Sequence, residues 1–257
     1  MKKNYYSNIK FNNKEIVLGF FSRNWGYSKK NFYSLNCSFS SGDKKYLVKK
    51  NIENTKKILN LKKTKLKIIN QVHSNKVITI NKKNFSKKFK GDGMITKDKK
   101  ISIAILTADC CPVFIYDKDS SFISCLHIGW KGCYKNIIKN AIKKIIKIQP
   151  QYKKIFAITG PCLSKKNFEI DINFKNKFQK KHSSYYKFFF KEKIKNKYFF
   201  DMIGLINFQL KNNGIKNIEN IKIDTYQHKK LFFSHRRSTH HNDLPTGRMI
   251  NIIGFSK

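Results

Sequence analysis

Three side chains that can bind a metal stand at the ends of apolar segments of this 257-residue chain. His73 follows Asn-Gln-Val, Cys110 follows Leu-Thr-Ala-Asp, and His127 precedes Ile-Gly-Trp-Lys-Gly. Two imidazoles and one thiolate can hold zinc while a fourth position stays open to water or substrate. Such a zinc lowers the pKa of bound water to about 7 and polarises a leaving group. The trio therefore indicates hydrolytic or group-transfer chemistry, although its spacing along the chain matches no established metal-binding pattern.

The same residue types also fit two other arrangements. Cys110 paired with His127 or His73 would be a nucleophile and its base, as in a thiol hydrolase. A ligating thiolate and an attacking thiolate both need a lowered pKa, so the sequence does not separate them. The structural alternative is hydrogen-bonded histidines in or beside the core, with Cys110 as a small buried apolar residue.

Four arginines stand out because lysine supplies the other 51 of the 55 basic residues. An arginine in such a background indicates a need for the planar fork that binds phosphate or carboxylate in bidentate fashion. The candidates for substrate or phosphate binding are Arg23, Arg236, Arg237 and Arg248. Asp109 adjoins Cys110 and is a candidate to contact substrate or to orient a ligating histidine. The turn Gly129-Trp-Lys-Gly132 leads into a predicted helix, where a phosphate site and an ordinary turn both stay open.

The net charge of +40 comes from lysines spread along the whole chain. Abundant lysine, asparagine and isoleucine are typical of AT-rich coding, whereas nucleic-acid sites usually concentrate charge on one face and use arginine forks. We therefore expect no specific nucleic-acid partner, only weak salt-sensitive binding to RNA. No apolar run reaches the roughly 18–20 residues of a membrane-spanning helix, so we expect no membrane partner. A polar N-terminus without a secretory signal and six irregularly spaced cysteines predict a cytoplasmic protein with reduced thiols.

The hydrophobic pattern predicts the elements that position these side chains. Helices are predicted after Asp43 as a capping residue, over Tyr134–Ile148, and from Met202 to an end at Gly214. Residues 170–200 are rich in lysine and phenylalanine and give no prediction. Strands are predicted at 16–22, 66–72, 76–80, 101–106, 113–116, 122–128, 155–159 and 249–254.

The order of these elements indicates the fold class. Strands and helices are both plentiful but do not alternate regularly, which favours the α+β class over a doubly wound parallel sheet. The chain has neither an internal repeat nor a linker rich in proline, glycine or serine. We therefore expect a single domain over residues 1–257.

Short motifs along nearly the whole chain form a pattern that is specific as a set, although no single motif is. They are Gly19–Arg23, Tyr33–Asn36, Asn70–His73, Gly91–Thr96, Leu106–Cys110 with Pro112-Val113, His127–Gly132, Gly160–Cys162, Phe233–Arg237 and Thr246–Met249. In these motifs the chain resembles the YfiH-type family, whose members are named multicopper polyphenol oxidoreductase (laccase), purine nucleoside phosphorylase or peptidoglycan editing factor.

The resemblance implies an α+β fold built as a single layered α/β sandwich, with zinc bound by His73, Cys110 and His127 and copper as the alternative metal. It also implies phosphorolysis of adenosine, inosine, guanosine or methylthioadenosine, with adenosine deamination as a second activity. Purine nucleosides and phosphate would then be the partners, and the four arginines the candidates for the dianion site. At Lys131 the chain departs from the family, where arginine is usual, so a bidentate contact would be lost there.

Three rival functions stay open. The first is a peptidoglycan-precursor editing amidase, or another hydrolase, that uses Cys110 and works without phosphate. The second is a copper-dependent polyphenol oxidase, for which a multicopper cluster would need more histidines than the trio supplies, whereas a single copper would fit. The third is a basic RNA-binding protein without catalysis, which would hold no zinc. We expect a monomer or a homodimer.

Overall fold

Three β-sheets organise the computed structural model, which describes residues 5–7, 14–151, 154–192 and 197–256. The strands in chain order are β1 (Tyr5–Tyr6), β2 (Ile16–Phe21), β3 (Lys65–Ile68), β4 (Val77–Thr79), β5 (Gly93–Thr96), β6 (Ile101–Thr107), β7 (Cys111–Asp117), β8 (Ile123–Ile128), β9 (Ile155–Thr159), β10 (Glu169–Ile170), β11 (Phe189–Glu192), β12 (Lys197–Phe200), β13 (Asn217–Asn220) and β14 (Met249–Phe255). The α-helices are α1 (Lys45–Ile58), α2 (Trp130–Tyr134), α3 (Ile137–Ile148), α4 (Ile172–Lys181), α5 (Met202–Asn212) and α6 (His235–His240). Short 3-10 helices cover Lys30–Phe32 and Ser183–Phe188.

Two larger sheets carry most of the strands. The first has five strands in the order β1-β2-β14-β6-β3, in which only β3 and β6 pair in parallel. The second has six strands in the order β13-β9-β7-β8-β5-β4, with parallel pairs at both edges and antiparallel pairs between them. The chain crosses from the first sheet to the second between β3 and β4 and again between β6 and β7.

The two sheets pack face to face and carry helices on their outer faces. Alternate residues of β7 show this arrangement, because Phe114 and Tyr116 belong to the core between the sheets, whereas Val113 and Ile115 face the core under α3 and α5. Helix α1 covers the outer face of the five-stranded sheet through Ile52 and Ile58, with Leu59 just beyond its end. Strands buried on both faces need continuous apolar runs, which explains their sequences. The α+β layered sandwich expected from the sequence is therefore confirmed.

Two of the helix predictions need correction. Asp43 does not cap α1, since the residue before the helix is Lys44, and Asp43 instead accepts hydrogen bonds from Ser28 and Asn36. The predicted helix over Tyr134–Ile148 is divided between α2 and α3 at Asn136, which has φ of +52° and caps α3 with its side chain. Helix α5 ends as predicted, with Gly214 at φ of +86° just beyond it. Among the described residues, no helix combines the length and apolar character needed to cross a bilayer.

The described part of residues 170–200, for which no element is predicted, belongs to a small aromatic unit beside the six-stranded sheet. Strands β10, β12 and β11 make an antiparallel sheet of their own, and α4 packs on it. Phe174 and Phe178 of α4 lie 5.6 and 5.2 Å, centre to centre, from the ring of Phe200 on β12. Contacts between aromatic rings hold this unit together, and its sequence shows no clear hydrophobic periodicity from which its elements could be predicted.

Candidate metal centre

The structure brings His73, Cys110 and His127 together at one end of the two sheets. One donor atom from each lies within 4.8 Å of the other two, and Cys110 Sγ is 3.8 Å from His73 Nε2. Two donors bound to one tetrahedral zinc, at bond lengths of about 2.3 Å for sulfur and 2.0 Å for nitrogen, lie about 3.5 Å apart. The donor set and its spacing therefore fit a zinc ion with one position left open. Within the described ranges, these residues form the one group of three or more histidine, cysteine or acidic side chains close enough to share a metal.

Each member of the trio reaches the site from a different part of the fold. His73 lies in the crossover between β3 and β4, where its backbone has φ of +55°. Gln71 fixes this segment to the end of β6, because its side-chain amide both donates to and accepts from the backbone of Leu106, at 2.8 and 2.7 Å. Cys110 lies in the crossover between β6 and β7, and His127 lies on β8. The packing of the two sheets thus sets the distances within the trio.

Asp92 is the residue that organises the trio from behind. Its fully buried carboxylate accepts a hydrogen bond from His127 Nδ1 at 2.8 Å, which leaves the other ring nitrogen for a ligand. The same carboxylate accepts from the backbone N–H of His73 at 2.9 Å and from the Oγ of Ser74 at 2.7 Å. A carboxylate that fixes the ring of a metal-binding histidine is a recurrent feature of zinc sites. The sequence suggests Asp109 as the carboxylate that orients a ligating histidine, whereas in the structure Asp92 contacts the ring of His127.

Gly129 lets the backbone before α2 approach the thiol. A Cβ at this position would lie 2.8 Å from Cys110 Sγ and 3.4 Å from His73 Cδ2. The first distance is shorter than real Cβ contacts allow, so any side chain at residue 129 would displace the thiol. The sequence offered a phosphate site as one interpretation of this turn, and the structure shows that glycine here makes room for Cys110.

The electrostatics of the trio favour a thiolate. Burial alone would raise the pKa of Cys110, but the charges and hydrogen bonds of His127 and His73 outweigh burial and lower it to about 6. Burial would likewise lower the pKa of His127, but Cys110 and Asp92 raise it to about 9. Hydrogen bonds from His127 and Ser74 overcome the effect of burial on Asp92 and lower its pKa to about 2. Cys110 is therefore prepared to act as a thiolate ligand or as a nucleophile.

Two clefts meet at the trio, and both are lined by His73, Ala108, Cys110 and His235. The larger cleft has a volume of about 470 Å³ and continues over Arg248 and polar residues that include Ser38, Ser40 and Asn70. The smaller cleft has a volume of about 330 Å³ and continues between Trp130, Lys131, Phe168 and Arg236. A ligand at the metal position would thus face a separate pocket on each side.

Asp109 fixes the segment that forms the wall between these clefts. Its carboxylate accepts from Thr225 Oγ1 at 2.6 Å, from Ser234 Oγ at 3.0 Å and from the backbone N–H of Arg236 at 2.7 Å. These contacts hold both neighbours of His235 against the residue that precedes Cys110. Asp109 therefore positions the start of α6, a structural task that its place in the sequence did not reveal.

The four arginines divide into two pairs. Arg248 lines the larger cleft, and its Nη1 donates to the backbone carbonyls of Thr246 and Gly247. Arg236 lines the smaller cleft, and its Nη1 donates to the backbone carbonyl of Glu169. Arg237 instead uses its fork to hold the carbonyls of Thr225, Tyr226 and Phe232. Arg23 lies with its guanidinium 4.3 Å from the ring centre of Phe233 and donates to the carbonyl of Tyr33. The structure thus places two of the predicted anion-binding residues at the clefts and the other two in backbone contacts.

The sequence-based candidates include neither His235 nor Asp92. His235 lines both clefts, and its imidazole has no hydrogen-bond partner among the described residues. Burial and the neighbouring Arg248 lower its pKa, which favours the neutral ring. The signal for His235 is its place between Ser234 and Arg236, in a motif whose arginines are the predicted binding residues. The nearby His240 lies apart from the trio and pairs with the hydroxyl of Tyr226 at 3.0 Å.

Comparisons with known proteins show what this chain is similar to in sequence and in fold. Residues 17–256 match the sequence profile of the family described as multi-copper polyphenol oxidoreductase laccase. A purine nucleoside phosphorylase of Rickettsia conorii is 32% identical over 211 residues, covering 79% of this chain and 87% of the relative. A purine nucleoside phosphorylase of Campylobacter jejuni is 33% identical over 243 residues, covering 89% and 98%. The crystal structure of a Neisseria meningitidis protein superposes with a TM-score of 0.87 at 25% identity, covering 99% of this chain and all of the other.

Proposed function

Because the chain belongs to the family described as multi-copper polyphenol oxidoreductase laccase, with relatives named purine nucleoside phosphorylases, we propose that it is a zinc-dependent purine nucleoside phosphorylase. Its substrates would be phosphate and adenosine, inosine, guanosine or methylthioadenosine. The observation that carries the proposal is the pair of clefts that meet at His73 and Cys110. Phosphorolysis needs a nucleoside and a phosphate on two sides of one carbon, and two pockets separated by the metal position meet that need.

The reaction exchanges one bond for another. The glycosidic bond between C1′ of the ribose and the purine nitrogen breaks, a bond from C1′ to a phosphate oxygen forms, and the proton that the phosphate loses leaves on the purine. His73, Cys110 and His127 would hold the zinc, which when bound supplies a Lewis acid beside the reacting groups. Asp92 keeps the ring of His127 in the ligating orientation.

The two clefts suit the two substrates differently. The rings of Trp130 and Phe168 in the smaller cleft offer flat apolar surfaces for a purine. In the larger cleft, Arg248 has guanidinium N–H groups beyond Nη1 that lack a partner among the described residues, and Ser38 and Ser40 add hydroxyls. A guanidinium with hydroxyl neighbours is a suitable site for a phosphate dianion. We therefore assign phosphate to the larger cleft and the purine to the smaller one.

The test is chromatography of zinc-loaded protein incubated with adenosine, inosine or methylthioadenosine, with and without phosphate. We expect free base and ribose 1-phosphate only when phosphate is present, and no product from Cys110→Ala. The matched control is Cys125→Ala, which removes a buried thiol from the core between the sheets and should retain activity. Free base released equally without phosphate would contradict the proposal.

The assignment of the clefts has its own readout in the same assay. Arg248→Lys should raise the KM for phosphate about tenfold, because lysine keeps the charge but loses the fork. Trp130→Ala should instead raise the KM for the nucleoside. The opposite pattern would exchange the two assignments. Conversion of adenosine to inosine in the same chromatograms would reveal the deaminase activity, which stays a prediction.

A second candidate is a thiol hydrolase, such as an amidase that edits peptidoglycan precursors. The observation that favours it is the line from Asp92 through His127 to Cys110, which is the arrangement of a carboxylate, a base and a nucleophile. Such an enzyme would work without phosphate, cleave wrongly assembled muropeptide precursors and lose activity on thiol alkylation. His73 favours the metal site, because it lies 3.8 Å from the same thiol and a hydrolase relay needs only one histidine.

A further inference from the structure

Exposed aromatic side chains are concentrated in one short stretch of the chain. Of the eleven large apolar side chains that are exposed among the described residues, five lie between residues 25 and 46. All five are aromatic, whereas the exposed residues elsewhere include valine, isoleucine and leucine. Phe39 lines the larger cleft at the candidate metal centre, whereas the other four line neither cleft. Single exposed apolar residues are ordinary, but a cluster marks an interaction site.

Three of these residues lie along one side of α1, together with lysines. Tyr46 and Lys50 are four residues apart on the helix and are therefore neighbours on its surface. The Nζ of Lys50 lies 3.9 Å from the ring centre of Tyr27. One turn further along, the side chain of Asn54 donates to the backbone carbonyl of Trp25 at 2.9 Å. Positions 46 to 54 span about 12 Å of helix axis.

We name this surface the aromatic–lysine face and define it as Trp25, Tyr27, Tyr46, Lys49 and Lys50. Its three aromatic side chains are 57%, 41% and 65% exposed, in that order. The other exposed positions of α1 are two more lysines and a single acidic residue, so the surroundings are basic.

The loop that presents Trp25 and Tyr27 is held rigidly. The buried side chain of Asn51 accepts from the backbone N–H of Tyr27 at 2.8 Å and donates to the hydroxyl of Ser28 at 2.9 Å. Gly26, between the two aromatic residues, packs so closely that a Cβ there would lie 2.2 Å from the carbonyl oxygen of Ser34. The rings are thus displayed from a fixed backbone, which reduces the entropy lost on binding.

The backbone of Trp25 is strained. Its φ is +70°, in the left-handed region that favours glycine and that a bulky side chain rarely adopts. Burial explains this residue only in part, because 57% of it is exposed. Strain at an exposed aromatic residue points to a role in binding.

The charge of the surface identifies its partner. A second copy of this chain would bring the same lysines against each other, within a protein whose net charge is +40. A membrane surface would be expected to receive exposed aliphatic side chains as well, and the exposed apolar residues between positions 25 and 46 include none. Aromatic rings interleaved with lysines suit single-stranded nucleic acid, since bases stack on the rings and phosphates pair with the cations.

We propose that the aromatic–lysine face binds single-stranded RNA without sequence preference. Bases stack on Trp25, Tyr27 and Tyr46, and the ammonium groups of Lys49 and Lys50 contact the phosphates. Composition led us to expect only weak RNA binding through lysines spread over the whole surface. The clustered rings add a local site to that background, and this site does not depend on the proposed phosphorylase activity.

The test is fluorescence anisotropy of a labelled single-stranded RNA of about 12 nucleotides, within the usual range of site sizes, titrated with the full chain at physiological salt. Trp25→Ala, Tyr27→Ala and Tyr46→Ala should each weaken binding about fivefold or more, the loss expected for one stacked base. The plot of log K against log salt has a negative slope, and Lys50→Gln should make it less steep by about 0.7, the value for one phosphate contact to a single strand. Wild-type protein without measurable binding under these conditions would overturn the proposal.

Two controls separate the site from general charge and from folding. Tyr186 and Phe190 are exposed aromatics beside lysines on another part of the surface, so Tyr186→Ala and Phe190→Ala should leave RNA affinity unchanged. Trp25→Gly suits the backbone at φ of +70°, so it should keep or raise the midpoint of thermal unfolding while still losing RNA affinity.

Two further ligands decide what the face recognises. Double-stranded RNA of the same length should bind more weakly, because its bases are not free to stack on the rings. Equal affinity for both RNAs, or equal losses of affinity in Tyr186→Ala and Phe190→Ala, would show that binding depends on charge alone and would overturn the proposal. Vesicles of anionic lipid that bind tightly and lose binding in Trp25→Gly would assign the face to membranes and overturn the proposal.

Discussion

Replacing Asp92 by asparagine is the most direct test of how the candidate metal centre is organised. Oδ1 of Asp92 accepts from His127 Nδ1 at 2.8 Å and from the backbone N–H of His73 at 2.9 Å. Oδ2 accepts from the backbone and hydroxyl of Ser74 at 2.5 and 2.7 Å and from the backbone N–H of Val72 at 3.3 Å. Every partner donates to the carboxylate. An amide can offer an oxygen to only one of these two sets of donors and must turn its NH₂ group toward the other. Asp92→Asn therefore keeps the shape of the side chain but loses hydrogen bonds on one side.

The size of the effect follows from the hydrogen bonds that the amide cannot make. A hydrogen bond to a charged group contributes about 1.5–3 kcal/mol, so losing one pair should lower the free energy of unfolding of the metal-free protein by about 3–6 kcal/mol. Removing the carboxylate that orients a ligating histidine usually lowers metal affinity 10- to 100-fold, which is about 1.4–2.7 kcal/mol. The first quantity is measured by urea unfolding and the second by competition for zinc with a chromophoric chelator.

The matched control is Asp117→Asn. Asp117 is also buried, and it accepts from the backbone and hydroxyl of Ser121, both at 2.7 Å, in the same manner as Asp92 with Ser74. It lies at the opposite end of β7, about 20 Å along the strand from the trio. This variant should lose stability but keep its zinc affinity. Wild-type zinc affinity in Asp92→Asn would refute the role given to Asp92.

Three shorter predictions concern neighbouring residues. Gly129→Ala should abolish stoichiometric zinc binding, measured by metal analysis after gel filtration, because the new methyl group would lie 2.8 Å from the thiol of Cys110. Arg237→Lys should lower the free energy of unfolding in urea by about 2–4 kcal/mol, because one ammonium nitrogen cannot occupy the positions of both Nη1 and Nη2, and it should leave the KM for phosphate unchanged. His235→Ala should raise the KM of one substrate about tenfold without loss of zinc, since its ring faces both clefts, whereas His241→Ala, just beyond α6, should change neither quantity.

The sequence predicted best those elements that local patterns determine. Strands β6, β8 and β14 are buried on both faces, so each is a mostly apolar run that is visible in the sequence. The pairing of β14 with both β2 and β6 was not predictable, because it joins residues far apart in the chain and no local pattern encodes the partner. The break at Asn136 was missed for a similar reason, since the isoleucine spacing continues through a residue whose left-handed backbone interrupts the helix.

The candidate site was predictable to the extent that its residues differ from their surroundings. His73, Cys110 and His127 are polar residues at the ends of apolar segments, and the structure brings them together. Asp92 and Asp109 carry similar carboxylates near similar motifs, and only the fold shows which one contacts the ring of His127. The same holds for the arginines, whose rarity marked them as a group but did not indicate which of them reach the clefts.

The position of the trio also explains why fold and site are inseparable here. His73 and Cys110 lie in the two crossovers by which the chain passes from the five-stranded to the six-stranded sheet, and His127 lies on the second sheet itself. Any sliding of one sheet over the other would change the distances between the donor atoms. The core between the sheets opposes such sliding with large buried rings, among them Phe20 and Phe114, which stack with their centres 4.5 Å apart. A metal held by the trio would act on the same interface and stabilise the packed sheets, because binding to the folded state alone adds its free energy to that of folding.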